Sequence, residues 1–368
     1  MEEVDKMKVL IIGFSKIKYM PYINFYLNNV NSEKNEIHIL YWNRDLKTDE
    51  LSSEKGLTFH EFRQFQEDYE KRGKLISFLR FRNYTRKIIN GEKFDFIIVL
   101  TTMPGILLSD LLITKYQGKY IFDYRDSTYE RYKFFKAILN RLVNGSQITF
   151  VSSDGFRTLF SPKCKLKIIT THNLLADSLL HRDEKSKFGI QSKKIRIGHW
   201  GQIRNEEVNV CFIRALAGDD RFELHYYGRE QRITLKLKEY AKNLNADNVY
   251  FHGGYIPEDR YKFVRETDII HNVFDSPNMM MAMSNKYYDG IIFRIPQICM
   301  EGSFMGNCAR RAKVGFCCFP SMNNLADYIY QRYVEMDLNK FNLSCDTELK
   351  RVLEEYHRSE YLLQKTIE

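Results

Sequence analysis

Short apolar runs recur along this chain with longer amphipathic stretches between them, and the pattern occurs twice. The first series is 8–12 (KVLII), 36–42 (EIHILYW), 95–100 (DFIIVL), 119–123 (KYIFD), 147–151 (QITFV) and 167–170 (KIIT). The second is 195–199 (IRIGH), 222–227 (FELHYY), 249–252 (VYFH), 268–272 (DIIHN), 297–300 (QICM) and 315–318 (GFCC). A run apolar on both faces must be covered on both faces, and a helix-length crossover between such runs makes neighbouring strands parallel. The chain is therefore expected to be α/β. Segment 177–194 is polar and charged and reads as a linker. The 368 residues then divide into a domain at 1–176, a second at 195–345 and a closing charged helix at 346–368, in keeping with roughly 150 residues per domain.

Helices are expected at 17–29, 104–116, 128–143, 209–217, 233–244, 257–266 and 307–312. Composition narrows the function classes. The seven cysteines are irregularly spaced and include no CxxC pair, which fits reduced core thiols rather than a zinc site. No window approaches ~18 uninterrupted apolar residues. The start, MEEVDKM, lacks a basic secretory n-region, so a cytoplasmic protein is expected. The net charge of +9 admits nucleic acid, an anionic membrane or phosphorylated ligands. No zinc-finger, helix-turn-helix or aromatic RNA-binding motif accompanies it, so a nucleic-acid partner rests on charge alone and is not expected.

The charge is unevenly placed. Residues 71–91 hold Lys71, Arg72, Lys74, Arg80, Arg82, Arg86 and Lys87 with no acid, interleaved with Leu75, Ile76, Phe78, Leu79 and Phe81. This is a basic amphipathic helix, which suits either an anionic membrane surface or a sheet face with solvated charges.

In parallel α/β domains, ligands bind at the carboxyl ends of strands beside helix N-termini. After the first strand stands Gly13-Phe14-Ser15-Lys16, without GxGxxG, which weakens a dehydrogenase reading. Gly13 is either a turn glycine or a point of backbone approach to a phosphate or sugar. After strand 195–199 stands Trp200-Gly201-Gln202-Ile203-Arg204; Gly201 admits a close ligand and Arg204 can fork onto a diphosphate. In "MSNKYYDGIIFRIPQI" (283–298), Ser284 fits a helix N-cap. Asn285 and Lys286 then fall in a first turn facing an anion, and Asp289 lies one turn on, where it can accept ribose hydroxyls.

The stretch from Asn285-Lys286-Tyr287-Tyr288-Asp289 to Gln297-Ile298 resembles the "NKxxEyxxxgxPvi" segment of GT-B glycosyltransferases of the GT4-like group. "GHWGQIR", "VYFHGGYIPEDRYKFVRETDII", "IFDYRD" and "IITTHNLL" resemble other segments of that group, in the same order. The resemblance implies two Rossmann-like domains facing a cleft, with the acceptor in the N-terminal domain, a nucleotide sugar in the C-terminal one, and the last helix packing back toward the N-terminal domain. It implies transfer of a sugar from a UDP- or GDP-type donor, with retention and without a cofactor; the sequence has no DxD motif, so a bound metal is not expected. Its departures are Met281 where the group has an acid near the donor sugar, Asp289 for a glutamate, Gln202 for an arginine and Glu207 for a lysine.

Lys286 and Arg204 would stabilise the leaving diphosphate. An inverting enzyme would need a base, for which Asp126 and His172 are candidates. The basic helix and the segment 129–141 (YERYKFFKAILNR) suit a lipid-linked saccharide acceptor at the inner membrane face, as in capsule, O-antigen or exopolysaccharide synthesis. A sugar-nucleotide epimerase and a non-catalytic relative share the expected fold and remain alternatives.

Overall fold

The computed structural model describes residues 6–48, 56–66, 73–174, 176–182 and 194–367. Lys71, Arg72 and most of the expected linker lie outside them. The chain divides into two compact units, residues 1–172 with 355–368, and residues 173–354.

The first unit carries a seven-stranded sheet in the order β3-β2-β1-β4-β5-β6-β7, with every pair parallel. The strands are β1 (Met7–Ile12), β2 (Asn35–Asn43), β3 (Leu57–Arg63), β4 (Phe96–Leu100), β5 (Tyr120–Tyr124), β6 (Ile148–Val151) and β7 (Ile168–Thr170). Val9, Leu10, Ile11 and Ile12 are fully buried, as the unbroken apolar run requires of a central strand covered on both faces. The strand order reverses between β1 and β4, which places the crevice of this unit above the loops that follow them.

Three expected helices differ here. The one expected at 17–29 is a 3₁₀ turn (Ile17–Tyr19) and a short helix (Ile23–Leu27), separated by Pro21, which has no N–H to donate. The one expected at 104–116 starts at Thr102, with Pro104 in its first turn, and breaks at Leu108 into Thr102–Leu107 and Ser109–Thr114. The one expected from 128 begins at Lys133. The basic segment is the helix Lys74–Glu92. It buries Phe78, Phe81, Thr85 and Ile89 at spacings of three and four, with Ser77 beside them, and leaves Leu75, Ile76 and Leu79 exposed.

The second unit carries six parallel strands in the order β10-β9-β8-β11-β12-β13. They are β8 (Ile195–Trp200), β9 (Phe222–Tyr227), β10 (Val249–Gly253), β11 (Ile269–Asn272), β12 (Gln297–Met300) and β13 (Gly315–Cys318). Their core joins Ile197, Leu224, Ile269 and Ile298 to Phe212, Ile213 and Leu216 of the helix Glu206–Leu216. The order reverses between β8 and β11, so the crevice lies above the loops at Gly201 and Val273.

The final helix runs from Leu338 to Ile367 and starts before the expected residue 346. Asp337 accounts for the earlier start: its carboxylate accepts the N–H of Lys340 at 3.1 Å, as an N-cap does. Leu363 and Ile367, near its end, sit in the core of the first unit.

Candidate functional site

In the second unit, the helix Asn285–Ile292 begins where the sequence indicated. Ser284 is extended (φ −74°, ψ 147°) and its hydroxyl accepts the N–H of Lys286 at 3.2 Å. The helix is fixed by Glu348 and Gln297. Tyr287 donates its hydroxyl to Glu348 of the last helix at 2.8 Å. Gln297 of β12 donates its amide to the Tyr287 carbonyl at 3.0 Å. A Cβ on Gly290 would lie 2.3 Å from the Gln297 Nε2, so only glycine lets the helix settle on that amide.

This docking turns Lys286 inward. Its side chain is 6% exposed, its Nζ donates to the Trp200 carbonyl at 3.1 Å, and it lies 4.9 Å from the centre of the Phe274 ring. Burial lowers its pKa to about 7; the Asp289 carboxylate opposes that shift and the Arg204 charge adds to it. His199 and His271 lie behind it, fully buried. Burial, with the Lys286 charge, pushes His199 well below its ordinary value and His271 down to about 3, so both are neutral.

Asp289 is 3% exposed. Its Oδ2 accepts the Trp200 indole N–H at 2.8 Å, and its Oδ1 lies 3.7 Å from the Arg260 Nε. Burial raises its pKa, while Arg260 and the indole N–H oppose the rise.

Arg204 and Gly201 are set differently. Gly201 takes φ +100°, a region costly for other residues, and a Cβ there would meet nothing within 4 Å. Its N–H donates to the Tyr227 carbonyl at 2.9 Å. Arg204 is exposed; its Nε and Nη2 donate to the Gln202 side-chain oxygen at 2.9 and 2.6 Å, and its Nη1 lies 3.9 Å from the Met279 sulfur. Among the described residues no carboxylate pairs with Arg204. Asn285 is exposed at the start of the helix.

Gly201, Arg204, Ser284, Asn285, Lys286 and Asp289 thus gather around the β8 end of one unit. Gly13 and Asp126 belong to the other. The Gly13 N–H donates to the Leu40 carbonyl at 2.8 Å, and a Cβ there would lie 2.4 Å from Met20, so its missing side chain makes room for a methionine. Asp126 is exposed after β5, and its carbonyl accepts the Thr102 hydroxyl at 2.8 Å. His172 is buried and pairs with Glu355 at 2.8 Å.

Sequence reasoning missed Arg260. It lies on the buried stripe of the helix Arg260–Glu266 with Phe263 and Val264, and its Nη2 donates to the buried Ser178 hydroxyl. A charged residue on the apolar face of an amphipathic helix was the available signal. Trp200 was read only as a neighbour of Gly201, yet it touches both Lys286 and Asp289.

No family model and no curated protein sequence matches the chain. Solved structures match it along almost its whole length. Sucrose-phosphate synthase from Thermosynechococcus elongatus is similar at a TM-score of 0.72 and 11% identity, over 98% of each chain. Anabaena HepE in complex with UDP and glucose is similar at 0.67 and 12%, also over 98% of each. WaaG, a glycosyltransferase involved in lipopolysaccharide biosynthesis, is similar at 0.62 and 10%, over 97% of this chain and 99% of that one. The two parallel-sheet units are therefore those of the GT-B fold.

Proposed function

We propose that the protein is a glycosyltransferase that takes its sugar from a nucleoside diphosphate donor held by the second unit. The observation that carries this reading is the cation pair at the β8 end. Arg204 has no carboxylate partner among the described residues, and Lys286 is buried at the start of an eight-residue helix. An anion there meets two cations and the positive end of a helix dipole. The fold is shared with Anabaena HepE, which binds UDP and glucose, and this supports UDP as the carrier.

In the reaction, the bond between the anomeric carbon and the terminal phosphate oxygen breaks, and negative charge grows on the departing diphosphate. Arg204 and Lys286 are already in place to meet it, which lowers the barrier electrostatically. The acceptor hydroxyl supplies the new bond to the anomeric carbon. On the retaining course implied by the family resemblance, its proton passes to the leaving phosphate. Asp126 is the candidate base for the inverting alternative.

The acceptor is proposed to be a lipid-linked saccharide of a bacterial surface polysaccharide, taken up by the first unit at a membrane face. The support is the outer face of the helix Lys74–Glu92, where exposed Leu75, Ile76 and Leu79 adjoin exposed Arg80 and Lys87. Tyr132 and Phe134 are exposed beside Lys133. Apolar side chains framed by cations suit an anionic bilayer.

Two experiments test the reading. Release of UDP or GDP from a panel of nucleotide sugars, with a lipid extract as acceptor source, should fall strongly in Arg204→Ala and Lys286→Ala. Flotation should show binding to phosphatidylglycerol vesicles that is lost when Leu75, Ile76 and Leu79 are changed together to serine. Absence of nucleotide release with every donor would overturn the transferase reading, and equal binding to neutral and anionic vesicles would overturn the membrane part.

A further inference from the structure

Lys286 is an amine enclosed by groups that do not neutralise it. On its own helix stands Asp289, whose Oδ2 accepts the Trp200 indole N–H and whose Oδ1 lies 3.7 Å from the Arg260 Nε. From β8 come the Trp200 carbonyl, its hydrogen-bond acceptor at 3.1 Å, and the neutral His199. From β11 and its following loop come the neutral His271 and the Phe274 ring. The loop after β8 brings Arg204, a second cation. One hydrogen-bonded carbonyl and one carboxylate shared with Arg260 thus face a buried ammonium that also feels the Arg204 guanidinium.

We infer that binding of the donor's diphosphate is coupled to uptake of a proton by Lys286, and that Asp289, held beside Trp200 and Arg260, is the positioning residue that supports the charged form of this amine. The inference rests on the donor site proposed above. A diphosphate beside the amine adds the negative charge that the free site lacks, so the ammonium form gains on binding. The proton comes from solvent and no covalent bond changes.

The arrangement also gives Trp200 a double part. Its carbonyl takes the amine and its indole takes the carboxylate, so one residue of β8 sets the distance between the two charges. Arg260 is held by the Ser178 hydroxyl, and its Nε has no hydrogen-bond partner, which leaves Asp289 shared between cations rather than locked to one. The free amine, lowered to about 7 by burial, is already largely deprotonated at pH 8.

The test is calorimetric titration of the full chain with UDP, and separately with inorganic pyrophosphate, in buffers of different ionisation enthalpy. At pH 8 we expect uptake of about 0.9 proton per ligand bound, and a dissociation constant that weakens roughly sevenfold between pH 7.5 and 8.5. In Lys286→Met, residual binding should be weaker and its heat independent of the buffer. In Asp289→Asn, loss of the carboxylate lowers the amine further, so uptake at pH 7 should rise from about one half toward one and the affinity profile should move to lower pH. A residue that only supported the fold would move neither.

Binding of UDP or pyrophosphate with uptake below about 0.2 proton at pH 8 would overturn this inference and leave the donor site standing. Equal uptake at pH 7 in the wild type and Asp289→Asn would overturn the part given to Asp289. Should neither ligand bind, the donor site and the coupling fall together. The wild-type titration needs no variant, so a poorly folding Asp289→Asn does not remove the test.

Discussion

Replacing Lys286 with methionine should stabilise the second unit at neutral pH. The lysine is charged in the unfolded chain, with an ordinary value of 10.5, and is lowered to about 7 by burial in the folded one. Its folded value is depressed, so the unfolded chain binds more protons between these limits and stability rises with pH across that window. At about 1.36 kcal/mol per unit, the burial costs the folded state roughly 4–5 kcal/mol at pH 7 and roughly 2 kcal/mol at pH 9. Methionine has a similar length and no charge. It gives up the hydrogen bond to the Trp200 carbonyl, worth about 1 kcal/mol, and leaves that oxygen bare. The net expectation is a gain of about 3 kcal/mol at pH 7 that shrinks toward zero by pH 9. Urea unfolding of both proteins at pH 7, 8 and 9, with one probe in the second unit, reads this directly. Wild-type stability should climb with pH while that of Lys286→Met stays flat by comparison. A variant less stable than wild type at pH 7, with the same pH slope, would refute the reasoning about the buried amine.

Other expectations follow from the same contacts. Gly290→Ala drives a methyl into the Gln297 amide and should cost about 1–3 kcal/mol, read as a lower urea midpoint; Gly290→Ala/Gln297→Ala should recover part of it. His271 is lowered to about 3 by burial, so its contribution is complete above the ordinary value of 6.5 and is lost as pH falls. It should remove about 3 kcal/mol by pH 4, and His271→Phe, stacked on Phe212, should flatten acid unfolding between pH 6 and 4. Arg204→Gln should weaken UDP binding by about ten- to a hundredfold with little change in thermal midpoint, because the side chain is exposed and, among the described residues, is held by Gln202 and Met279.

The recurring apolar runs made twelve of the thirteen strands among the described residues legible, most plainly those buried throughout, such as β4 and β5. The missed strand, β3, lies at the sheet edge. Its sequence LTFHEFR mixes polar and apolar residues because only part of it is buried. Helix ends were less legible where Pro21 and Leu108 interrupt runs that are otherwise helical in pattern.

At the candidate site, Ser284, Lys286, Arg204 and Gly201 could be singled out as proposals because capping, charge and conformational freedom are local properties. What Asp289 touches was not legible. Its neighbours Trp200 and Arg260 come from a strand and a helix far away in sequence, and only the register of β8 and the docking of Arg260–Glu266 bring them to it. Gly13 carries the converse lesson, since its sequence context suits ligand approach while the space beside it is filled by Met20.

The central claim is that the Arg204–Lys286 end of the second unit binds a nucleoside diphosphate. A thermal-shift panel with UDP, GDP, ADP, CMP and dTDP, with Lys286→Ala and Arg204→Ala in parallel, tests it most directly. At about 100 times its dissociation constant the right nucleotide adds roughly 2.7 kcal/mol, equivalent to about 5–10 °C for a unit of this size. The account predicts such a rise with one diphosphate, UDP foremost, and a rise cut to about half or less in both variants at the same nucleotide concentration. A flat response to every nucleotide, or a rise that both variants keep, would contradict it.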